Sequence, residues 1–220
     1  MLINTKYDFI FHHLMKNGGT SVTRELMKME DTTKVPGYKH SSLAYIGKEA
    51  SLDIESFKNS FAIVRNPWDR MHSLYYYINH KFRTPKFFKK GNDLRSRMYV
   101  FLQDQYTQAS TKSFSDWLIT SNYINPKDKS KTTSDTKFSQ VKLMISEDGQ
   151  IHIKNIFHMG DPKLVEYLND ISEGEINITK LKKLNITKHR PDYRTEYTTE
   201  SREFIEHYFK DDIDMFGFEF

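Results

Sequence analysis

The sequence contains no cysteine. Disulfides, thiolate metal sites, iron–sulfur clusters and cysteine nucleophiles are therefore excluded, and the absence fits a reducing compartment. No apolar run approaches the roughly 18 residues that a membrane-spanning helix requires. The first residues, MLINTKYDFIF, carry one lysine and too short an apolar stretch for a secretion signal. These absences predict a soluble, cytoplasmic protein with no membrane partner. The two Asn-Ile-Thr sequons, at Asn177 and Asn185, are then chance occurrences. Strong net charge is missing too. Against 33 Lys and Arg stand 29 Asp and Glu, a formal charge of +4, too mild to imply a nucleic-acid partner. Neither His-x-x-x-His nor His-Glu-x-x-His occurs, and the adjacent His12 and His13 would point to opposite faces of a strand, so no metal is expected. No repeat of 20 to 50 residues is visible.

What is present is a load of aromatic residues, 16 Phe and 13 Tyr in 220 residues, which a disordered chain would not carry. The length suits one domain with a sizeable core. Charge is patterned locally. The segment Lys81 to Arg97 has seven bases and one acid, and the tail from Asp192 has nine acids and three bases. Each run reads as a solvated face, with attraction of an anionic ligand as the alternative for the basic one.

Tyr7 to Leu14 reads as a short buried strand ending at a turn, Lys16-Asn17-Gly18-Gly19, and Thr20 to Met29 as a helix with Val22, Leu26 and Met29 on one face. The pattern recurs. Ser60 to Val64 is a second buried strand, and Trp68 to Ile78 a helix with Pro67 near its first turn. Further helices are predicted over Leu94 to Tyr106, Phe114 to Ile119, the residues after Asp161-Pro162 through Ile171, and Thr199 to Phe209. Val141 to Ile145 and Gln150 to Ile156 could pair as strands around Asp148-Gly149, and residues 125–137 form a polar loop expected to be mobile. Alternating strands and helices predict a single α/β domain around a mostly parallel sheet flanked by helices.

Two segments carry chemistry. In Lys16-Asn17-Gly18-Gly19-Thr20-Ser21, glycines allow close backbone approach to an anion. The helix start adds about half a positive charge, Thr20 and Ser21 add hydroxyls, and Lys16 a full charge. The lysine precedes the glycines, so this is not a Walker A loop; an ordinary turn with a cap remains the plain alternative. In the second segment Arg65 closes a buried strand, where open α/β sheets bind ligands, and Ser73 lies on the following helix. The plain alternative there is an Arg65–Asp69 ion pair beside a solvated serine. Tyr75, Tyr76 and Tyr77 point in different directions on a helix and read as core packing plus one exposed ring rather than base stacking. Phe87 and Phe88 read as a packed lid or as a sugar-stacking surface.

FHHLMKNGGTSV and FAIVRNPWDRMHSLYYY resemble the two cofactor motifs of sulfotransferases that use 3′-phosphoadenosine 5′-phosphosulfate (PAPS). The carbohydrate-type branch, sulfotransferase family 2-like, is the closer likeness, reading Pro-Lys-Thr-Gly-Gly-Thr-Ser and Arg-Asn-Pro-Trp-Asp-Arg followed by Ser. The tail HRPDYRTEYTTESREFIEHYFKDDIDMFGFEF resembles that branch's ending, whereas Lys81 to Asp148 matches little. Met15 and Asn17 depart from the branch's Pro and Thr. The resemblance implies a core like that of a nucleotide kinase. It implies that Lys16, Asn17, Gly18, Gly19, Thr20 and Ser21 hold the 5′-phosphosulfate, and that Arg65 and Ser73 hold the 3′-phosphate. The acceptor it implies is a glycan or small-molecule hydroxyl, with PAP (the desulfated nucleotide) as product. Lys16 would stabilise the departing bridging oxygen.

The acceptor must lose a proton as it attacks. His40 lies between the two motifs, where the resemblance places a catalytic histidine before a short helix; a surface or capping histidine is the plain alternative. His13, His12 and Glu49 follow in that order, and His158 and His189 stay open. Two other functions compete: a kinase-like phosphotransferase, which would need Mg²⁺ ligands that are not visible, and an inactive nucleotide-binding module.

Overall fold

The computed structural model describes residues 1–35, 40–81, 104–121, 139–182, 184 and 190–220. Residues 82–97 of the basic run, Phe87 and Phe88 among them, the expected loop 125–137 and His189 lie outside the described residues. Backbone contacts divide the chain into two compact units, Met1–Arg65 with Thr136–Ile186, and Asn66–Asp135 with Thr187–Phe220.

The first unit is built on a five-stranded mixed sheet. Its strands are β1 (Leu2–Asn4), β2 (Phe9–His12), β3 (Thr32–Lys34), β4 (Asn59–Val64) and β5 (Asn155–His158), in the spatial order β3-β1-β2-β4-β5. The core β2-β4-β5 is parallel, with Phe11 beside Phe61 and Val64 beside His158. Both predicted central strands are present, and β2 is buried at every residue. Burial on both faces is why their sequences are continuously apolar rather than alternating. β1 and β3 add an antiparallel edge that the sequence reading did not contain. The short connection from Asn4 to Phe9 permits only a hairpin, since a parallel pair needs a crossover of about a dozen residues.

One face of this sheet carries the main core. Phe9, Phe11, Phe61 and Ile63 pack with Val22 and Leu26 of α1 (Gly19–Leu26) and with Leu164, Leu168 and Ile171 of a later helix, Lys163–Ile171. The Phe11 and Phe61 rings stack at 4.8 Å. Asp161 caps the later helix as its sequence suggests, its Oδ1 accepting the Lys163 N–H at 2.9 Å. A short helix, α2 (Leu43–Ala50), follows His40, with the Ser42 hydroxyl accepting the Tyr45 N–H.

The expected hairpin around Asp148-Gly149 is corrected. Residues Gln140–Met144 form a helix, whose Ser139 cap accepts from the Lys142 N–H. One bridge, Ile145 to Ile151, closes the turn, and the following strand begins only at Asn155. The run Val-Lys-Leu-Met is too short for periodicity to tell a helix from a strand.

The second unit is helical among the described residues. Helix α3 (Pro67–Lys81) starts where expected. The Asn66 Oδ1 accepts the Trp68 N–H at 3.1 Å, and Pro67 occupies the first turn, where its missing N–H is tolerated. Trp68, Met71, Leu74 and Ile78 are buried at helical spacing. Residues 104–111 form α4 and Phe114–Thr120 form α5. Of the helix expected over Leu94 to Tyr106, residues 104–106 are described, and they are helical. In chain order the remaining helices are α6 (Gln140–Met144) and α7 (Lys163–Ile171) of the first unit and α8 (Thr199–Tyr208) and α9 (Lys210–Phe216) of the second. Thr198 and Ser201 form a capping box at the start of α8. The Tyr75 ring meets Phe114 and Trp117, which bears out the reading of core packing, while Tyr76 and Tyr77 are half-buried and neither is the exposed ring expected.

His12 is wholly buried at the end of β2, and burial pushes its pKa down from 6.5 to about 3. The unfolded chain therefore binds the extra proton between those two values and the folded chain does not, so stability falls as pH drops through that window. Each unit below 6.5 removes about 1.4 kcal/mol through this one group. His12→Leu should flatten the slope of melting temperature against pH in that window, whatever its effect at neutral pH. An unchanged slope in calorimetry would assign the acid sensitivity to another group.

Candidate functional site

Parallel pairing in the core sets where the chemistry can sit. β2, β4 and β5 all release the chain at the same edge: β2 into residues 13–18, β4 into Arg65, and β5 into Met159 and Gly160. Ligands of open α/β sheets lie at this carboxyl edge.

The segment after β2 is a tight backbone cradle. Lys16 and Gly18 both have left-handed backbones, at φ 67° and 79°. Gly18 is the N-cap of α1 and offers no side chain to the first-turn N–H groups. A helix of this kind begins with donors and positive dipole aimed outward. Gly19 is required for a different reason. A Cβ there would fall inside the van der Waals envelope of the His13 ring. Met159, from the end of β5, covers Gly18. Thr20 and Ser21 lie in the first turn, half-buried, and the Ser21 Oγ accepts the Leu184 N–H at 3.2 Å.

The Asn17 side chain is buried and turned inward. Its Nδ2 donates to the Ile63 carbonyl at 2.6 Å and to the Gln140 Oε1 at 2.7 Å. Its contribution to the cradle is through its backbone, while its amide braces the loop. Its Oδ1 is a buried acceptor without a hydrogen-bond partner among the described residues. Arg65 is 8% exposed, and its Nη1 donates to the Lys16 carbonyl at 2.9 Å. The two motifs, far apart in sequence, thus meet directly.

Two histidines border the cradle. His13 stacks on Phe11, with ring centroids 5.6 Å apart, and its Nδ1 lies 3.3 Å from the Thr23 hydroxyl. His40 meets the His13 ring edge-on at 5.0 Å. The His40 Nδ1 lies 2.9 Å from the His13 carbonyl. A carbonyl only accepts, so Nδ1 is the protonated nitrogen, and in the neutral ring the lone pair is on Nε2. That is the tautomer a general base needs.

Compared with known protein families, the chain matches the sulfotransferase family over residues 1–219. It belongs to the sulfotransferase family. Comparison with curated proteins and with solved structures gave no match. No helix among the described residues is long and apolar enough to cross a membrane.

Within this sulfotransferase-family chain the remaining candidates sort by unit. Ser73 is buried on α3 of the second unit. Beside it, His72 is fully buried in a network of its own. The Arg190 Nη1 lies 3.2 Å from His72 Nδ1, and the His72 Nε2 lies 2.6 Å from Glu196. A guanidinium can only donate, so Nδ1 accepts and Nε2 donates to Glu196. Burial lowers the His72 pKa, and Tyr76 donates a second hydrogen bond to Glu196 at 2.7 Å. Arg190 also pairs with Asp69 at 2.7 Å. This network supports α3.

Glu55, Asp148 and His152 form the one group among the described residues with metal-ligating side chains close together. The His152 ring bridges Glu55 through Nδ1 at 3.0 Å and Asp148 through Nε2 at 2.7 Å. Glu55 and His152 precede β4 and β5, at the amino edge of the strands, opposite the cradle. They join two loops and have no place in the candidate site.

Sequence reasoning ranked His13 behind His40 and overlooked Gln140. The readable signal for His13 was its spacing two residues after Phe11, which puts both on one face of β2. Nothing in the sequence near Gln140 marked it.

The contact with His13 gives a direct test of the cradle. Gly19→Ala should destabilise the protein by about 1–3 kcal/mol, the usual penalty of overpacking. Adding His13→Ala should return most of that loss in denaturant titrations. Strictly additive effects of the two substitutions would refute the packing role of Gly19.

Proposed function

We propose that this chain is a PAPS-dependent sulfotransferase that transfers a sulfonyl group to a hydroxyl of a glycan or small-molecule acceptor and releases PAP, without a metal and in the cytoplasm. The observation that carries this reading is the meeting of three groups at one sheet edge: the outward-facing start of α1 with Lys16, Arg65 bonded to the Lys16 carbonyl, and His40 held with its lone pair on Nε2. The cradle suits a phosphosulfate. Its donors are backbone N–H groups at the start of α1 and one ammonium.

PAPS, when bound, supplies an activated sulfonyl group and a nucleotide leaving group. The start of α1 and the hydroxyls of Thr20 and Ser21 would hold the 5′-phosphosulfate. The Lys16 ammonium would neutralise charge growing on the bridging oxygen, a kind of contribution often worth about 10²- to 10³-fold in rate. Arg65 would bind the 3′-phosphate, and the resemblance assigns Ser73 to the same group. His40 would take the acceptor proton at Nε2. The Nδ1 bond to His13 keeps the ring in that tautomer and orientation.

The test is mass spectrometry of a panel of glycan acceptors incubated with PAPS, read as the gain of one sulfonate, together with thermal shifts by PAP in the absence of Mg²⁺. Transfer and a metal-independent shift are expected; a shift only with ATP and Mg²⁺ would favour a phosphotransferase. His40→Ala should lose about 10²- to 10⁴-fold in turnover, keep its PAP affinity and lose the acidic limb of the rate profile. Retained turnover with the same profile would place the base elsewhere.

Arg65→Ala is expected to weaken both PAP and adenosine 5′-phosphosulfate, because the guanidinium also holds the Lys16 carbonyl. The loss should be greater for PAP by about tenfold, the worth of a charge-assisted hydrogen bond to the 3′-phosphate. Equal losses in calorimetry would limit Arg65 to bracing the loop.

A further inference from the structure

We infer that Gln140 is the positioning residue that fixes Lys16 and Arg65 relative to one another, so that nucleotide affinity depends on a side chain buried beneath the site. This rests on the nucleotide-binding role proposed above.

Gln140 opens α6 and is fully buried. Its Oε1 accepts from the Asn17 Nδ2 at 2.7 Å and from the Arg65 backbone N–H at 2.9 Å, and its Nε2 donates to the Arg65 carbonyl at 2.9 Å. One carboxamide therefore satisfies both backbone groups of Arg65. That is what a residue on a neighbouring strand would do.

The sheet explains why a substitute is needed. The Val64 carbonyl accepts the Met159 N–H at 2.7 Å, so Val64 faces β5. Backbone groups of successive strand residues alternate in direction, so Ile63 and Arg65 face the other edge. There β2 has already ended at His12. The Asn17 amide takes the Ile63 carbonyl, and the Gln140 amide takes both groups of Arg65. The two amides then bond to each other. Turning the Asn17 amide over would set its oxygen against the Ile63 carbonyl and the Gln140 Oε1, so its orientation is determined.

The result is a closed circuit. Lys16 is covalently joined to Asn17, Asn17 is bonded to Gln140, Gln140 to the Arg65 backbone, and the Arg65 guanidinium to the Lys16 carbonyl. The two cations of the site share this frame. Removing the Gln140 amide leaves three buried groups without that partner, the Arg65 N–H, the Arg65 carbonyl and one Asn17 proton. The Arg65 backbone and the Lys16–Asn17 segment then lose this tie, and the guanidinium–carbonyl bond alone of this circuit is left to hold them. Small misplacements of binding groups weaken function out of proportion to their size.

The test uses the full chain, with PAP affinity measured by calorimetry at a temperature where circular dichroism shows each variant folded. Gln140→Met should weaken PAP by about tenfold or more and adenosine 5′-phosphosulfate along with it, because both arms of the site are displaced. Leu143→Ala, a buried residue of the same helix, should lower the melting temperature while PAP affinity stays within twofold; this separates positioning from stability. Gln140→Glu adds a second readout. Its carboxylate cannot donate to the Arg65 carbonyl, whereas its protonated acid can. Its PAP affinity relative to wild type should therefore recover as pH falls.

If wild type binds PAP and folded Gln140→Met binds it within twofold, this inference is overturned and the nucleotide reading stands. If wild type binds no PAP, the nucleotide reading falls and takes this inference with it. Should Gln140→Met not fold, Gln140→Glu decides: an affinity ratio to wild type that does not change with pH overturns the inference.

Discussion

The parallel pairing of β2 with β4 is the constraint on which the rest of the first unit depends. It places Phe11 beside Phe61 and His12 beside Ala62, and so aligns the carboxyl ends of two strands that come from distant parts of the chain. Once those ends are level, the turn after β2 and the arginine after β4 must share one edge. The apolar side chains of Phe9, Phe11, Phe61 and Ile63 secure this register. A slip of one residue would turn each of these side chains to the opposite face. The register that builds the core therefore also builds the site.

That register has a local consequence. β2 ends before β4 does, and the last backbone groups of β4 would have been left unpaired inside the protein. Unpaired buried amides are costly. Asn17 and Gln140 fill the gap with side-chain amides. The same bonds that complete the sheet also hold the loop bearing Lys16 and the residue Arg65. Stability and positioning share those atoms.

The three histidines near this edge show how burial divides chemical roles. His12 is sealed in the core and held neutral, its pKa pushed down to about 3. His13 fills the space beside Gly19 and offers its carbonyl to His40. His40 is the exposed one, with its tautomer set by that carbonyl. Sequence alone presents these as similar residues, and His12 and His13 are adjacent. The strand's alternation sends one into the core and the other to the cradle.

By itself the sequence determined the α/β class, the two central strands, the helices that follow them, and both segments that meet at the carboxyl edge. These are local signals: continuous apolar runs for doubly covered strands, glycines and a proline at helix starts, and a motif resemblance with all its residues close together in the chain. The tertiary structure decided the antiparallel edge, the helix at Gln140–Met144 in place of a strand, the direction of the Asn17 side chain, and the roles of His13 and Gln140. The direction of Asn17 and the role of Gln140 depend on partners far away in sequence. Gln140 lies 123 residues from Asn17 and 75 from Arg65. A lone glutamine ahead of a short apolar run carries no mark of what it will bond to. Only the register of the sheet, which leaves Arg65 without a strand beside it, gives that amide its work.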